Sequence, residues 1–339
     1  MLKLIQVGIS GMGNAWLDTI PKCPEVKLTG IVDINEKFLS AAGEKTGLGP
    51  AAQFKSLPEA LKKTECDAVL NVTPPAFHKE ICITSAKAGK HVLTEKPLSD
   101  KWDDALEMVS AARACRIKMM VSQNYRFSSA ARMLRKVLTD KPAGELENVY
   151  MTFHKAADFG PDNFRTKMKY PLLLDMSIHH FDLARYFTGQ NPMTVYARSF
   201  RPEGTVYHCD PGLIAVFELS NKTLFTYQGC WSDHGRQDAW SGTWRFQCCG
   251  GSVHFENDII TVAKHGQPEQ KIDVVPLEHE GLGGTLNEFI NAVKKNREPE
   301  CSAQDNINSV AMQFFALESI KKDKRVMFST TKKGVGKNE

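Results

Sequence analysis

The sequence predicts an α/β protein in two parts: a doubly wound parallel sheet, then an α/β domain on a large, mainly antiparallel open sheet. Two observations predict it. Up to Val121, five short apolar runs alternate with helical patterns, as in a sheet whose ligands lie beyond the carboxyl ends of its strands. From Val149 onward the runs alternate apolar and polar residues and are joined by short links, as in a sheet with one covered face. At 339 residues, two domains are the default. We expect a dinucleotide-binding domain over residues 1–122, a substrate and oligomerisation domain over 123–328, and a basic, disordered tail over 329–339.

The first run, Leu2 to Val7, ends in Gly8-Ile9-Ser10-Gly11-Met12-Gly13. Glycines here permit a tight turn and let backbone N–H groups approach a pyrophosphate at a helix N-terminus, so Gly8, Gly11, Met12 and Gly13 are candidate cofactor residues. A simple turn explains them nearly as well, and the third fingerprint position is Trp16, which argues against close helix–strand packing. The second run, Val26 to Val32, ends at Asp33, about twenty residues beyond Gly13, where a carboxylate would accept from the adenosine ribose and repel a 2′-phosphate. That favours NAD over NADP. Asp33 is equally placed to cap the helix that starts near Asn35, and both readings can hold at once. Ala68 to Val72 leads into Thr73-Pro74-Pro75, with His78 three residues on; Thr73, Pro74 and His78 are expected to touch or cover the cofactor. Prolines are otherwise ordinary at a helix start.

The fourth run, His91 to Thr94, enters Glu95-Lys96-Pro97. A chain that moves hydride must bring a cation to the reacting carbon, and Lys96, fixed at a strand end, is the candidate; Glu95 reads as its positioning partner. Lys118 to Val121 completes the first sheet.

In the second part, strand-like runs at 149–154, 194–200, 213–219, 223–229, 243–248 and 259–263 are interrupted by Leu172–Asp182. There Leu174, Ile178, Phe181 and Ala184 form an apolar stripe at helical spacing, with Asp175, His179 and Asp182 in a polar stripe beside it. Asp175 and His179, one turn apart, are placed to set each other's pKa, although an ordinary surface ion pair gives the same pattern. His179-His180 has no third ligand at recognised spacing, so no metal is expected. Two amphipathic helices close the chain, one on Leu282, Leu286, Phe289 and Val293, the other capped by Ser302-x-x-Asp305.

Composition narrows the classes. With 42% hydrophobic and 24% charged residues the chain reads as globular, and a net charge of +4 without a basic arm points away from nucleic acid. No apolar run is long enough for a bilayer, and the start lacks a signal peptide. Nine cysteines without a C-x-x-C pair read as reduced core residues of a cytoplasmic protein.

Gly11-x-Gly13, Asp33, Thr73-Pro74-Pro75, Glu95-Lys96-Pro97 and Asp175-x-x-x-His179-x-x-Asp182, in this order, resemble the glucose–fructose oxidoreductase / inositol dehydrogenase family (Gfo/Idh/MocA) over nearly the whole chain. The resemblance implies a Rossmann domain followed by an open-sheet domain used for homodimer or homotetramer contacts. It matches Lys96 to the family's catalytic lysine and Asp175 and His179 to its acid and histidine. It also puts Arg126 where members contact cofactor or substrate. Two positions depart from the pattern: Trp16, and Ser177 where the family has glycine. The implied activity is hydride transfer between NAD and a secondary alcohol of a sugar, sugar acid or cyclitol. His179 would be general base, Lys96 would stabilise the developing charge, and Asp175 would orient substrate or His179. Tyr125, Asn163 and His234 are further candidate substrate contacts. The alternatives are a glycosidase that retains NAD and oxidises its sugar transiently, and a non-catalytic NAD-responsive regulator.

Overall fold

The computed structural model describes residues 1–328; the tail expected over 329–339 lies outside the described residues. Two compact units emerge, Met1–Phe127 with His279–Ile307, and Ser128–Glu278 with the chain from Asn308 onward. The sequence suggests a single crossing at 122/123. Instead the segment His279–Ile307 returns to the first unit, because the amphipathic stripe at Leu286, Phe289 and Ile290 is buried against Leu2, Leu4, Trp16 and Leu70. A stripe announces that a helix is covered, but not by which part of the chain.

In the first unit β1 (Leu2–Val7), β2 (Val26–Val32), β3 (Gln53–Phe54), β4 (Ala68–Asn71), β5 (His91–Thr94) and β6 (Met119–Val121) form one sheet in the order β3-β2-β1-β4-β5-β6. Every pairing in it is parallel. Helices α1 (Met12–Thr19), α2 (Glu36–Thr46), α3 (Leu57–Lys63), α4 (His78–Lys87) and α5 (Trp102–Ala114) make the crossovers. Such strands are covered on both faces, which is why they read as continuous apolar runs. The strand order reverses between β1 and β4, so the glycine turn after β1 and the Thr73 loop after β4 flank the switch point where ligands of open α/β sheets bind.

The second unit holds β7 (Leu146–His154), β8 (Pro192–Phe200), β9 (Gly212–Leu219), β10 (Leu224–Cys230), β11 (Thr243–Cys248), β12 (Gly251–Glu256), β13 (Ile259–Lys264), β14 (Gln270–Ile272) and β15 (Val326–Met327). They form a nine-stranded sheet in the order β14-β13-β12-β11-β7-β10-β9-β8-β15. Only β7 and β10 pair in parallel. Helices α6 (Ser129–Asp140), α7 (Phe164–Lys167) and α8 (Ser177–Thr188) belong here, followed in the chain by α9 (Gly281–Lys294) and α10 (Ala303–Lys322). The inward face is aromatic: Phe181 of α8 packs on Phe217 and Tyr227, and Phe187 on Trp244 and Phe246. On the outward face Tyr150, Tyr196, Ile214, Val216 and Leu224 are exposed. No helix of the described residues is long and apolar enough to cross a membrane.

Candidate functional site

The glycine turn is braced from beneath. Gln6, fully buried in β1, donates through Nε2 to Gly8 O at 3.0 Å and Gly13 O at 2.8 Å. A Cβ on Gly8 would lie 2.6 Å from Val72 O, and one on Gly13 would lie 2.4 Å from Gly8 O. The backbone approach that a dinucleotide requires is therefore built here by glycine alone. Gly11, at φ 55°, starts α1 without a side-chain cap, which leaves that helix terminus uncovered by its own side chain. Met12 is exposed beside it. The residues present fit a pyrophosphate at this turn.

Asp33 accepts from Ile9 N at 3.0 Å through Oδ2 and from Asn35 N at 2.9 Å through Oδ1. The cap of α2 is Asn35, whose side chain accepts from Lys37 N. Asp33 thus clamps the glycine turn to the end of β2, and each carboxylate oxygen keeps a second lone pair for a ribose hydroxyl.

Trp16 does not spoil the packing of α1. Its indole is fully buried in the apolar cluster of the first unit, and Nε1 donates to Glu95 Oε1 at 2.8 Å. Glu95 Oε2 accepts from Lys96 N at 3.2 Å. Burial raises the Glu95 pKa, and the Trp16 N–H is the largest opposing influence. Lys96 is half-buried at the carboxyl end of β5 and joined to Pro97 by a cis peptide, and its backbone N–H is held by the carboxyl that Trp16, standing at the fingerprint's third position, braces.

His78 is not presented to a ligand. It is fully buried, with Nδ1 2.9 Å from Pro97 O and Nε2 2.8 Å from Thr73 O, so it staples the loop after β4 to the loop after β5. Burial lowers its pKa against the pull of those carbonyls. Thr73 donates through Oγ1 to Asn71 Oδ1 at 2.7 Å, and Pro74 is exposed at the loop's tip. Arg126 is also internal: at 4% exposure it reaches Glu300 O and Asp305 Oδ2, tying the returning segment to the turn that bears half-buried Tyr125. Its guanidinium is spent on the fold, contrary to the expected ligand contact.

In the second unit the expected continuous helix is broken. Residues Leu172–Met176 form a π-helical turn and α8 starts only at Ser177. Asp175 therefore lies in the π turn, while His179 and Asp182 lie in α8. Asp175 pairs with Arg165, Nε to Oδ2 at 2.5 Å. Asp182, 1% exposed, accepts from Ser309 Oγ at 2.8 Å, and Arg185 Nη1 donates to the same hydroxyl. His179 is buried to 7% exposure. The π turn explains Ser177. Its hydroxyl is within 2.8 Å of Leu172 O and 3.1 Å of Leu173 O, and Gln313 Nε2 donates to Leu173 O at 2.7 Å, so the carbonyls freed by the wider turn are satisfied.

His180 is the locking histidine. It is fully buried, with Nε2 2.9 Å from Trp240 O and Nδ1 3.2 Å from Tyr227 Oη. Burial pushes its pKa down to about 4. The neutral ring then donates to the carbonyl and accepts from the phenol, fixing α8 to β10 and to the loop 231–242. That loop carries exposed His234 and also Asp233, which lies 2.6 Å from His154 Nδ1. Asn163 is the cap of α7, accepting from Arg165 N at 3.0 Å. Sequence reasoning missed Gln6, Arg165, His154 and the role of His180. Of these, only Gln6 carried a signal, as a polar residue inside an apolar strand. Among the described residues no group of three His, Cys, Asp or Glu could hold a metal ion.

Comparison with known proteins agrees with this fold. Residues 3–123 match the family model described as an oxidoreductase family with an NAD-binding Rossmann fold, and residues 131–254 match the GFO/IDH/MocA C-terminal domain. The chain is 22% identical over 342 residues to an inositol 2-dehydrogenase of Rhizobium meliloti (strain 1021), covering 94% of this chain and 97% of that one. It is 24% identical over 322 residues to a 1,5-anhydro-D-fructose reductase of Ensifer adhaerens, covering 90% and 92%. A solved oxidoreductase from Agrobacterium radiobacter, in complex with NAD+, L-tartaric acid and magnesium, has the same fold, with a TM-score of 0.88 at 17% identity, covering 96% of this chain and 98% of that one. From the glycine turn to the outward-facing sheet, this chain belongs to the Gfo/Idh/MocA family of NAD-binding oxidoreductases.

Proposed function

We propose that the chain transfers hydride between NAD and a secondary alcohol of a sugar, sugar acid or cyclitol. The observation that carries this reading is the Trp16–Glu95 bond, which sets Lys96 at the carboxyl end of β5 on the sheet edge that also bears the glycine turn and Asp33. When bound, the cofactor accepts the hydride. Gly8, Gly11, Met12 and Gly13 receive its pyrophosphate, Thr73 and Pro74 border it, and Asp33 takes the ribose hydroxyls and disfavours a 2′-phosphate. His179 is the general base for the hydroxyl proton as the C–H bond breaks, Lys96 stabilises the developing negative charge, and Asp175 orients the substrate. The names of the inositol dehydrogenase and anhydrofructose reductase relatives support a polyol.

Two further assignments belong to this reading. The exposed apolar residues of the outward sheet face support a homodimer or homotetramer. The nine free cysteines fit a cytoplasmic protein.

The test is a panel of sugars, sugar acids and cyclitols followed as NAD reduction at alkaline pH. Lys96→Met is expected to keep NADH binding and lower kcat about 10²–10³-fold, the scale of a lost oxyanion donor; retained turnover sinks the assignment. Cleavage of an aryl glycoside without net NADH marks the glycosidase alternative instead.

A further inference from the structure

We infer that Arg165 recognises the substrate and that the substrate carries a carboxylate. The inference rests on the reading above, in which Asp175 and α8 carry substrate-directed groups. Arg165 is held on three sides. Its Nε donates to Asp175 Oδ2 at 2.5 Å, and its guanidinium lies 5.0 Å from the ring centre of Phe159 and 4.5 Å from that of Phe164. Together these contacts fix the plane of the guanidinium, while the side chain remains 30% exposed. The backbone is fixed too, since Arg165 N is bound by the capping Asn163 side chain.

The two terminal nitrogens of Arg165 meet no hydrogen-bond partner among the described residues. A planar fork, oriented in advance and with its end left open, matches a carboxylate bidentately. Were neutralisation of Asp175 its sole task, a lysine would serve and no aromatic clamp would be needed. The segment that bears Arg165 is basic in sequence: residues 155–170 carry Lys155, Arg165, Lys167 and Lys169 against Asp158 and Asp162, with Lys167 paired to Asp162. One fixed guanidinium, already sharing its charge with Asp175, suits a monoanion better than a phosphate dianion. The substrate is then a polyhydroxy acid, with its carboxylate on Arg165 and a hydroxyl available for oxidation.

The test is calorimetric titration of the NADH-loaded full-length protein with matched pairs: D-gluconate against D-sorbitol, D-glucuronate against D-glucose, and D-glucose 6-phosphate beside them. A charge-assisted pair predicts that the acids bind about 10- to 100-fold more tightly than their neutral partners. Arg165→Gln removes that ratio and Arg165→Lys restores part of it. Equal binding of acid and neutral partner by the unaltered protein overturns the inference. So do an acid preference that survives Arg165→Gln, tighter binding of the phosphate, and no binding of any acid. The functional reading fails separately. Acids held through Arg165 with no NAD reduction on any polyol leave Arg165 standing and sink the oxidoreductase assignment of the site, whereas NAD reduction on neutral polyols without acid preference sinks the carboxylate alone.

Discussion

Replacing Trp16 with Phe deletes one hydrogen bond and keeps most of the ring. The bond is buried, 2.8 Å long, and accepted by a carboxyl that is 8% exposed. A hydrogen bond to a charged group contributes about 1.5–3 kcal/mol and a neutral one about 1 kcal/mol. The Glu95 pKa is raised above the ordinary carboxylate range, with burial as the main cause and the Trp16 N–H as its chief opponent. A carboxyl with a raised folded-state pKa costs no stability below the unfolded pKa, where both states hold the proton, and costs progressively more as pH rises through the folded pKa. Removing the donor widens that gap. Trp16→Phe is therefore expected to cost about 1 kcal/mol at pH 4 and about 2–3 kcal/mol at pH 8. At about 2–4 °C per kcal/mol for a domain of this size, Tm at pH 8 falls about 4–12 °C. Circular dichroism melts at both pH values measure it, with Glu95→Gln as the second arm of a double-mutant cycle. In that background the Trp16→Phe cost should shrink to about 1 kcal/mol and lose its pH dependence. A cost below about 0.5 kcal/mol at pH 8, or one that ignores pH, would refute the idea that the indole holds the carboxylate.

The His180 pKa is depressed from 6.5 to about 4, so the stability present above pH 6.5 should decline as pH falls toward 4, by about 3 kcal/mol in all. His180→Phe should be weaker at pH 7 yet lack this decline; urea unfolding at pH 7 and pH 4.5 compares the two slopes, and an unchanged slope contradicts the assignment. Asp33→Ser should shift the ratio of NADH to NADPH Kd toward NADPH by about 10-fold or more, read by fluorescence titration, because a carboxylate facing a phosphate is removed. A constant ratio would leave Asp33 as a backbone brace only. Val216→Glu on the outward sheet face should convert an oligomer to a folded monomer in sedimentation velocity, and an unmoved boundary would place the contact elsewhere.

What the sequence disclosed well were features that repeat along one element. Continuous apolar runs marked β1, β4 and β5 as doubly covered strands, alternation at Val149, Met151 and Phe153 marked the covered face of β7, and the spacing of Leu286 and Phe289 marked a buried helix face. Short or weakly patterned strands such as Gln53–Phe54, Gly251–Glu256 and Val326–Met327 escaped, since two to six residues offer too few positions for a period to register. The candidate site was legible to the extent that its residue types stood at strand ends. Its partners were not: Asp182 meets Ser309, Trp16 meets Glu95, and Arg126 meets Asp305, each pair set by how distant segments fold together.

The two departures from the family pattern make the same point from the other side. A tryptophan at the third fingerprint position removes the slack that a glycine gives to α1, and a serine after the π turn replaces a residue with no side chain. Each brings a hydrogen bond that a glycine could not make. Trp16 braces the acid beside Lys96, and Ser177 closes the carbonyls that the π turn opens above His179. Each change therefore tightens the backbone next to a proposed catalytic residue, and the polar demand is met by a neighbour in space instead of by the next residue in the motif. A motif scored position by position counts both changes as losses. Scored by which buried donors and acceptors find partners, both are gains, and that ledger needs the third dimension to be read.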